Sequence, residues 1–254
     1  MKIVRCRTDM GECYGLWEGE VIRLLAGEPF AGITPSGEVV AANAVKLLAP
    51  CRPSKIVAVG INYAPHAREL DFCIPPEPLI FLKPPSAVIG PEEEIILPAM
   101  SAQVDYEGEL AVVIGRSCKN VAEKEALRFV LGYTCCNDVT ARDLQKKDVQ
   151  FTRSKSFDTF APLGPCIETK LDPGNVMVRS FVNGDKRQEA STATMIRSVP
   201  ELVSFISRVM TLLPGDVIAT GTPAGVGPLQ SGDRVAVSIE PIGALSNPVR
   251  GLER

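Results

Sequence analysis

Residues 105–114, Asp105-Tyr106-Glu107-Gly108-Glu109-Leu110-Ala111-Val112-Val113-Ile114, set two carboxylates one residue apart at the head of an uninterrupted apolar run. A run of small and β-branched residues is the pattern of a strand buried on both faces. Positions i and i+2 of a strand share a face at a spacing of roughly 6.5–7 Å, so Glu107 and Glu109 are predicted to point one way and Tyr106 and Leu110 the other. Two buried like charges repel and lose their hydration unless they share a proton or a divalent cation takes both as ligands. Completed by a third carboxylate from elsewhere, such an all-oxygen set suits a hard ion such as Mg2+. The alternative is a solvated strand face carrying both side chains, and the pair alone leaves both readings open.

Around this stretch lies a chain of 254 residues, long enough to bury one large core and to act as an enzyme on its own. A hydrophobic content of 45%, a charged content of 22% and a net charge of −3 describe a soluble globular protein without a basic surface for nucleic acid. The N-terminus lacks the apolar core of a signal peptide, and no stretch approaches the ~18 apolar residues of a membrane span. These features predict a cytoplasmic protein without a membrane partner. The eight cysteines contain no C-x-x-C pair, and Cys135 and Cys136 are adjacent, which predicts reduced core thiols rather than zinc ligands or disulfides.

Upstream, residues 1–50 read as a small β-meander with turns at Glu18-Gly19, Ala26-Gly27 and Ser36-Gly37. The two prolines in residues 48–54 mark a boundary between this N-terminal β-domain (1–50) and a main domain (51–254). Residues 55–60, KIVAVG, form a strand, and Pro65 opens a helix directly after it. That helix sets His66, the single histidine of the chain, and Glu69 at i and i+3 on one face. A carboxylate beside an imidazole orients it and raises its basicity, as in a general base that activates water. An incidental pair on a solvated helix face has the same spacing. Residues 71–91 hold five prolines before Pro91, which excludes a long helix or central strand and predicts a loop serving as a lid.

Downstream, Asn120 and Glu123 make a capping box for a helix with Leu127, Val130 and Leu131 on one face, closed by Gly132. A strand then ends at Asp138, and Thr140 and Asp143 cap a further helix. Asp138 is thus placed either as a third metal ligand or as an ordinary turn residue. Arg142 and Gln145 follow on that helix and Lys155 on the loop beyond it. A hairpin turns at Asn183-Gly184, and Ser198 caps a helix burying Leu202, Phe205, Val209 and Leu213. Residues 221–227, GTPAGVG, leave backbone N–H groups free to hold an anion or simply form a turn.

Taken in order, the segments GINYAPHAREL, PLIFLKPPSAVIG, VDYEGELAVVIG, GYTCCNDVTARDLQ, KSFDTFAPLGP and GDVIATGTPAGVG resemble the successive motifs of the fumarylacetoacetate hydrolase superfamily. The resemblance spans residues 55 to about 245. Residues 1–50 resemble the small N-terminal β-domain of many bacterial dienedioate isomerases and acylpyruvate hydrolases. It implies an α+β fold, mixed β with some α, whose main domain is a β-roll or sandwich, and a homodimer. It implies Mg2+, or alternatively Mn2+ or Ca2+, on Glu107, Glu109 and Asp138, with His66 and Glu69 as the catalytic dyad. Lys155, Arg142, Gln145 and Thr222 match its oxyanion-stabilising and substrate-contacting groups. Ile61 departs from the pattern, standing where some members carry a substrate-contacting arginine. The implied reaction is hydrolysis of a C–C bond in an acylpyruvate or related 1,3-diketo acid. Isomerisation, tautomerisation or decarboxylation of a 2-oxo dicarboxylate is the alternative, and a metal-dependent binding protein without catalysis is a third.

Overall fold

The computed structural model describes residues 1–9 and 11–251. Its centre is the strand Gly108–Ile114, buried at every position. This strand pairs antiparallel with Val130–Asn137 on one side and with Val217–Ala219 on the other. The period of two sends its side chains into two separate cores. Leu110, Val112 and Ile114 pack with Val57, Cys135, Ile218 and the helix residues Leu202, Val203 and Ile206. Ala111 and Val113 pack on the opposite face with Ile56, Ala58, Cys136 and Leu163. The adjacent cysteines therefore face opposite ways, and all eight are free thiols; Cys73 is exposed and Cys13 half-buried, while the other six are buried.

Among the described residues the parent sheet has 12 strands. Its path runs from Pro35–Ala41 through Val21–Leu25, Gly11–Glu18, Lys2–Thr8, Ala161–Glu168, Val130–Asn137, Gly108–Ile114, Val217–Ala219 and Ile56–Gly60 to the edge strand Leu79–Lys83. Strand Lys2–Thr8 pairs with Ala161–Glu168 through Lys2↔Glu168 and Ile3↔Ile167, so hydrogen bonding is continuous from the first 50 residues into the rest. A five-stranded sheet contributes Val178, Val237, Ile239 and Leu245 to the first core. With few helices, of which Val199–Val209 is the longest α-helix among the described residues, the fold is α+β. Among the described residues no helix is long and apolar enough to cross a membrane.

Several local expectations are corrected by tertiary contacts. The stretch 105–114 is two strands: Val104–Tyr106 pairs with Thr140–Ala141 and Gly227–Pro228, and the ladder changes partners at Glu107. A Cβ on Gly108 would lie 2.0 Å from the Ser180 hydroxyl, so the switch requires glycine there. The expected helix after Asn120 is a 3₁₀ segment, Glu123–Phe129, without a side-chain cap. The Asn120 and Val121 N–H groups instead donate to the Ser207 carbonyl and hydroxyl, and Val130, Leu131 and Gly132 join the following strand. Thr140 does not cap its helix; it lies in a strand, and the helix Arg142–Lys147 starts after Ala141.

In the proline-rich 71–91 segment, residues 79–83 form a strand paired along all of Ile56–Gly60, which narrows the expected loop to the residues before it. Ser36 and Gly37 lie inside the strand Pro35–Ala41 rather than at a turn. Lys155 ends a short helix, Thr152–Lys155. The Ser198 cap forms and accepts from the Glu201 N–H, but the helix ends at Val209, leaving Val209 and Leu213 exposed. The hairpin at Asn183-Gly184 is as expected, with both residues at positive φ.

The strand that delivers residues 220–222 to the site is anchored by Asp216. Fully buried, its carboxylate accepts from the Ser54 N–H at 3.0 Å, the Ser54 hydroxyl at 2.6 Å, the Lys55 N–H at 3.2 Å and the Leu213 N–H at 2.8 Å, and pairs with the Lys55 ammonium. Asp216→Ala leaves these donors without a partner and is expected to cost about 3 kcal/mol, read as a lower urea midpoint with an unchanged m-value.

Candidate active site

Glu107 occupies the strand switch, Glu109 the second position of the central strand, and Asp138 the residue after Val130–Asn137. Pairing of Gly108 with Asn137 brings the three carboxylates together, with one oxygen of each lying within 4.8 Å of the others. All three are buried. The Glu107 N–H donates to the Asn137 side-chain oxygen at 2.9 Å, and the Asp138 N–H donates to the Glu107 carbonyl at 2.8 Å, so the backbone fixes their spacing. The solvated-face alternative for the two glutamates is thereby excluded.

Three buried cations surround this set. Lys155 Nζ donates to Glu107 Oε2 at 2.8 Å and to Asp138 Oδ2 at 2.7 Å. Arg142 donates through Nε to Asp105 at 2.8 Å, through Nη1 to Gln145 at 2.6 Å and through Nη2 to Glu107. Lys83, fully buried, pairs with Asp138 and donates to the Val139 carbonyl at 3.2 Å. Neither Lys83 nor Asp105 stands out in the sequence as part of the site. Lys83 closes an edge strand between prolines, where lysine is usually a solvated edge residue, and only the contact with Asp138 reveals its role as a counter-charge.

The balance of these charges differs among the carboxyls. Burial works to raise Glu107, but the Lys155 and Arg142 charges outweigh it and hold this carboxyl well below the usual range. Glu109 moves the other way. Burial, followed by the charges of Asp138 and Glu107, pushes it well above its ordinary value; a single 2.9 Å bond from the Gly221 N–H supports it. Lys83 is lowered by burial despite Asp138, whereas Asp138 and Glu107 keep Lys155 above its ordinary value against burial. Three buried carboxylates of this spacing, one of them poorly compensated, fit a hard divalent cation.

The helix Ala64–Glu69 carries His66, buried, with Nδ1 3.1 Å from Glu69 Oε2. The other Glu69 oxygen accepts from the Gly225 N–H at 2.9 Å. The loop 221–227 thus does hold carboxyl groups, and they are the protein's own: Gly221 serves Glu109 and Gly225 serves Glu69. The Tyr106 hydroxyl donates to the Gly225 carbonyl at 2.8 Å. A Cβ at Gly225, which sits at φ +102°, would lie 2.2 Å from the Arg187 carbonyl. Buried Gln188 joins this loop to the central strand, accepting from the Gly108 N–H at 2.9 Å and donating to the Thr222 hydroxyl at 2.8 Å and the Pro223 carbonyl at 2.7 Å.

One cavity is lined by His66, Glu107, Glu109, Asp138, Arg142, Gln145, Lys155 and Thr222. Of the nine residues singled out from sequence only Glu69 is outside this lining, and it reaches the cavity through His66. Thr222 lends its hydroxyl to the Gly108 carbonyl at 2.9 Å. The rest of the wall is apolar.

Residues 55–250 match the family model described as fumarylacetoacetate (FAA) hydrolase C-terminal, and residues 1–50 match that described as Rv2993c-like, N-terminal. The structure of 5-carboxymethyl-2-hydroxymuconate delta-isomerase from Mycobacterium smegmatis is similar at 47% identity with a TM-score of 0.94, covering 99% of this chain and 100% of that one. Maleylpyruvate hydrolase from Sphingobium sp. SYK-6, solved with manganese(II) and pyruvate, is similar at 31% identity and a TM-score of 0.82, with both chains covered fully. The mitochondrial oxaloacetate tautomerase FAHD2A of Bos taurus is 44% identical over 224 residues, 83% of this chain and 71% of its own.

The raised Glu109 carboxyl gives a stability test in metal-free protein. Folded Glu109 keeps its proton where the unfolded carboxyl, at about 4.3, has lost it, so the folded state binds more protons and stability falls as pH rises above that value. Glu107, held low, contributes the opposite slope, and only below the same value. In EDTA, the urea midpoint of the wild type is expected to fall between pH 5 and 8 more steeply than that of Glu109→Gln. Equal slopes would contradict the protonated assignment.

Proposed function

Because the chain belongs to the fumarylacetoacetate hydrolase family, we propose that it is a divalent-metal-dependent hydrolase that cleaves a C–C bond in an acylpyruvate or related 1,3-diketo acid. The observation that carries this reading is the shared cavity: a three-carboxylate set, a lysine and a carboxylate-oriented histidine converge on it. Glu107, Glu109 and Asp138 would hold Mg2+, with Mn2+ as the nearest substitute. When bound, such an ion polarises the oxygens of a 2-oxo acid and stabilises negative charge developing on them.

The remaining steps fall to side chains. With Nδ1–H directed to Glu69, the other ring nitrogen of His66 is free to accept a proton from water. The resulting hydroxide adds to the carbonyl distal to the substrate carboxylate. Lys155 has two of its three N–H donors committed to Glu107 and Asp138; the third stabilises the oxyanion, assisted by Gln145 or Arg142. The C–C bond then breaks toward the 2-oxo acid fragment, which leaves as pyruvate enolate, and the His66 imidazolium returns the proton to its carbon. The products are a carboxylic acid and pyruvate.

A second reading uses the same residues without attack by water. His66 then moves a proton between carbon and oxygen of a 2-oxo dicarboxylate, as a tautomerase or isomerase, or the same head group is decarboxylated. Similarity to an isomerase and a tautomerase favours it. Incubation with Mg2+ and an acylpyruvate, oxaloacetate or a hydroxymuconate-type dienedioate, following enol absorbance and pyruvate release, separates the readings. Hydrolysis requires stoichiometric pyruvate from the acylpyruvate. Enol absorbance changing without pyruvate release would support proton transfer instead.

Four substitutions test the roles. Glu107→Gln, Glu109→Gln and Asp138→Asn are each expected to weaken Mg2+ binding at least tenfold, about 1.4 kcal/mol, measured by calorimetry. His66→Ala should lower turnover by roughly 10²–10⁴-fold with metal affinity unchanged. Near wild-type turnover in His66→Ala would remove the dyad from the mechanism.

A further inference from the structure

The head of the proposed substrate is set by the carboxylates, and the wall opposite them bears on its tail. That wall consists of Val59, Ile61, Leu70, Phe72, Phe81 and Phe151. Phe81 and Phe151 meet edge to face with centroids 5.5 Å apart, and Lys155 Nζ stands 5.1 Å from the Phe81 ring centroid. A chain leaving a carbonyl at Lys155 therefore runs onto an aromatic surface. Among the described residues, the only cations lining the cavity are Lys155 and Arg142. Both are already engaged: Lys155 bridges Glu107 and Asp138, and Arg142 donates to Asp105, Glu107 and Gln145.

Ile61 adds an independent observation. It lies at φ +58°, a left-handed conformation that is strained for a β-branched residue. The residue that follows is held firmly. Buried Asn62 is locked by bonds from Nδ2 to the Thr220 carbonyl at 2.7 Å and the Arg197 carbonyl at 3.0 Å, and its Oδ1 accepts from the Arg197 N–H at 2.7 Å. Glycine or asparagine would satisfy this turn with less strain. Instead, a bulky apolar side chain is held in the cavity wall, where strain commonly accompanies function.

We propose that the tail of the substrate is an uncharged alkyl or aryl acyl group, selected by Ile61 and the Phe81–Phe151 wall, and that a second carboxylate is rejected. A carboxylate against this wall would lose its hydration without gaining a free cation. The proposal rests on the reading of the site as a metal-assisted 2-oxo acid site, and its test separates the two.

The probes are N-butyloxamate and N-(3-carboxypropyl)oxamate, which share a 2-oxo acid head that the enzyme does not cleave and differ in a terminal carboxylate. Titrated calorimetrically into Mg2+-loaded protein, the butyl compound is expected to bind at least about tenfold more tightly. Ile61→Arg should reverse that preference. Ile61→Gly should weaken the butyl compound while melting no lower than the wild type, because glycine relieves the left-handed strain. Equal binding of the two probes, or tighter binding of the carboxylated one, overturns the tail assignment and leaves the head-group reading standing. If neither binds with Mg2+ present, the 2-oxo acid reading falls and takes the tail with it. Retained preference in a folded Ile61→Gly variant would remove Ile61 as the selecting residue.

Discussion

Three carboxylates with oxygens within 4.8 Å of one another in the interior of a sheet constitute the constraint that the surrounding structure answers. Isolated, they would not stay ionised there. Lys155 arrives on a short helix, Arg142 on another and Lys83 on an edge strand, and each is buried only because it meets an acid. The answer is incomplete at Glu109, whose nearest donor is a backbone N–H. A divalent ion is the natural completion, and it competes with the proton that the raised carboxyl of Glu109 holds more firmly than an ordinary glutamate.

The same constraint explains the break in the central element. Had residues 105–114 continued as one strand, Glu107 and Glu109 would simply share a face of a single ladder. Changing ladder partners at Glu107 lets Glu107 meet Arg142 and Lys155 while Glu109 stays under the 221–227 loop. That loop also holds Glu69 through Gly225. One short glycine-containing segment thus sets the position of both a candidate metal ligand and the carboxylate that orients His66.

Much of this is legible in sequence where short-range geometry decides. The His66–Glu69 spacing, the Ser198 cap, the Asn183-Gly184 turn and the apolar run 110–114 depend on neighbours a few residues away, and the structure has them as read. The capping boxes at Asn120 and Thr140 are also short-range signals, yet they fail. In each case backbone groups find better partners across the fold: Ser207 for the Asn120 segment, the strand Val104–Tyr106 for Thr140. Lys83 and Gln188 carry no local signal at all, since their meaning lies in contacts with Asp138 and Thr222, dozens of residues away.

The cysteine pattern has a practical side. Burial raises the thiols of Cys51 and Cys166 to about 12 and suppresses their reactive thiolate form, while Cys13 is half-buried beside Cys6, their sulfurs 3.7 Å apart. Cys73 alone among the described thiols is exposed, and it directly follows Phe72, a residue of the apolar wall. The fold therefore supplies a nearly unique attachment point for an environment-sensitive dye, one residue along the chain from the wall of the cavity and clear of the buried charges.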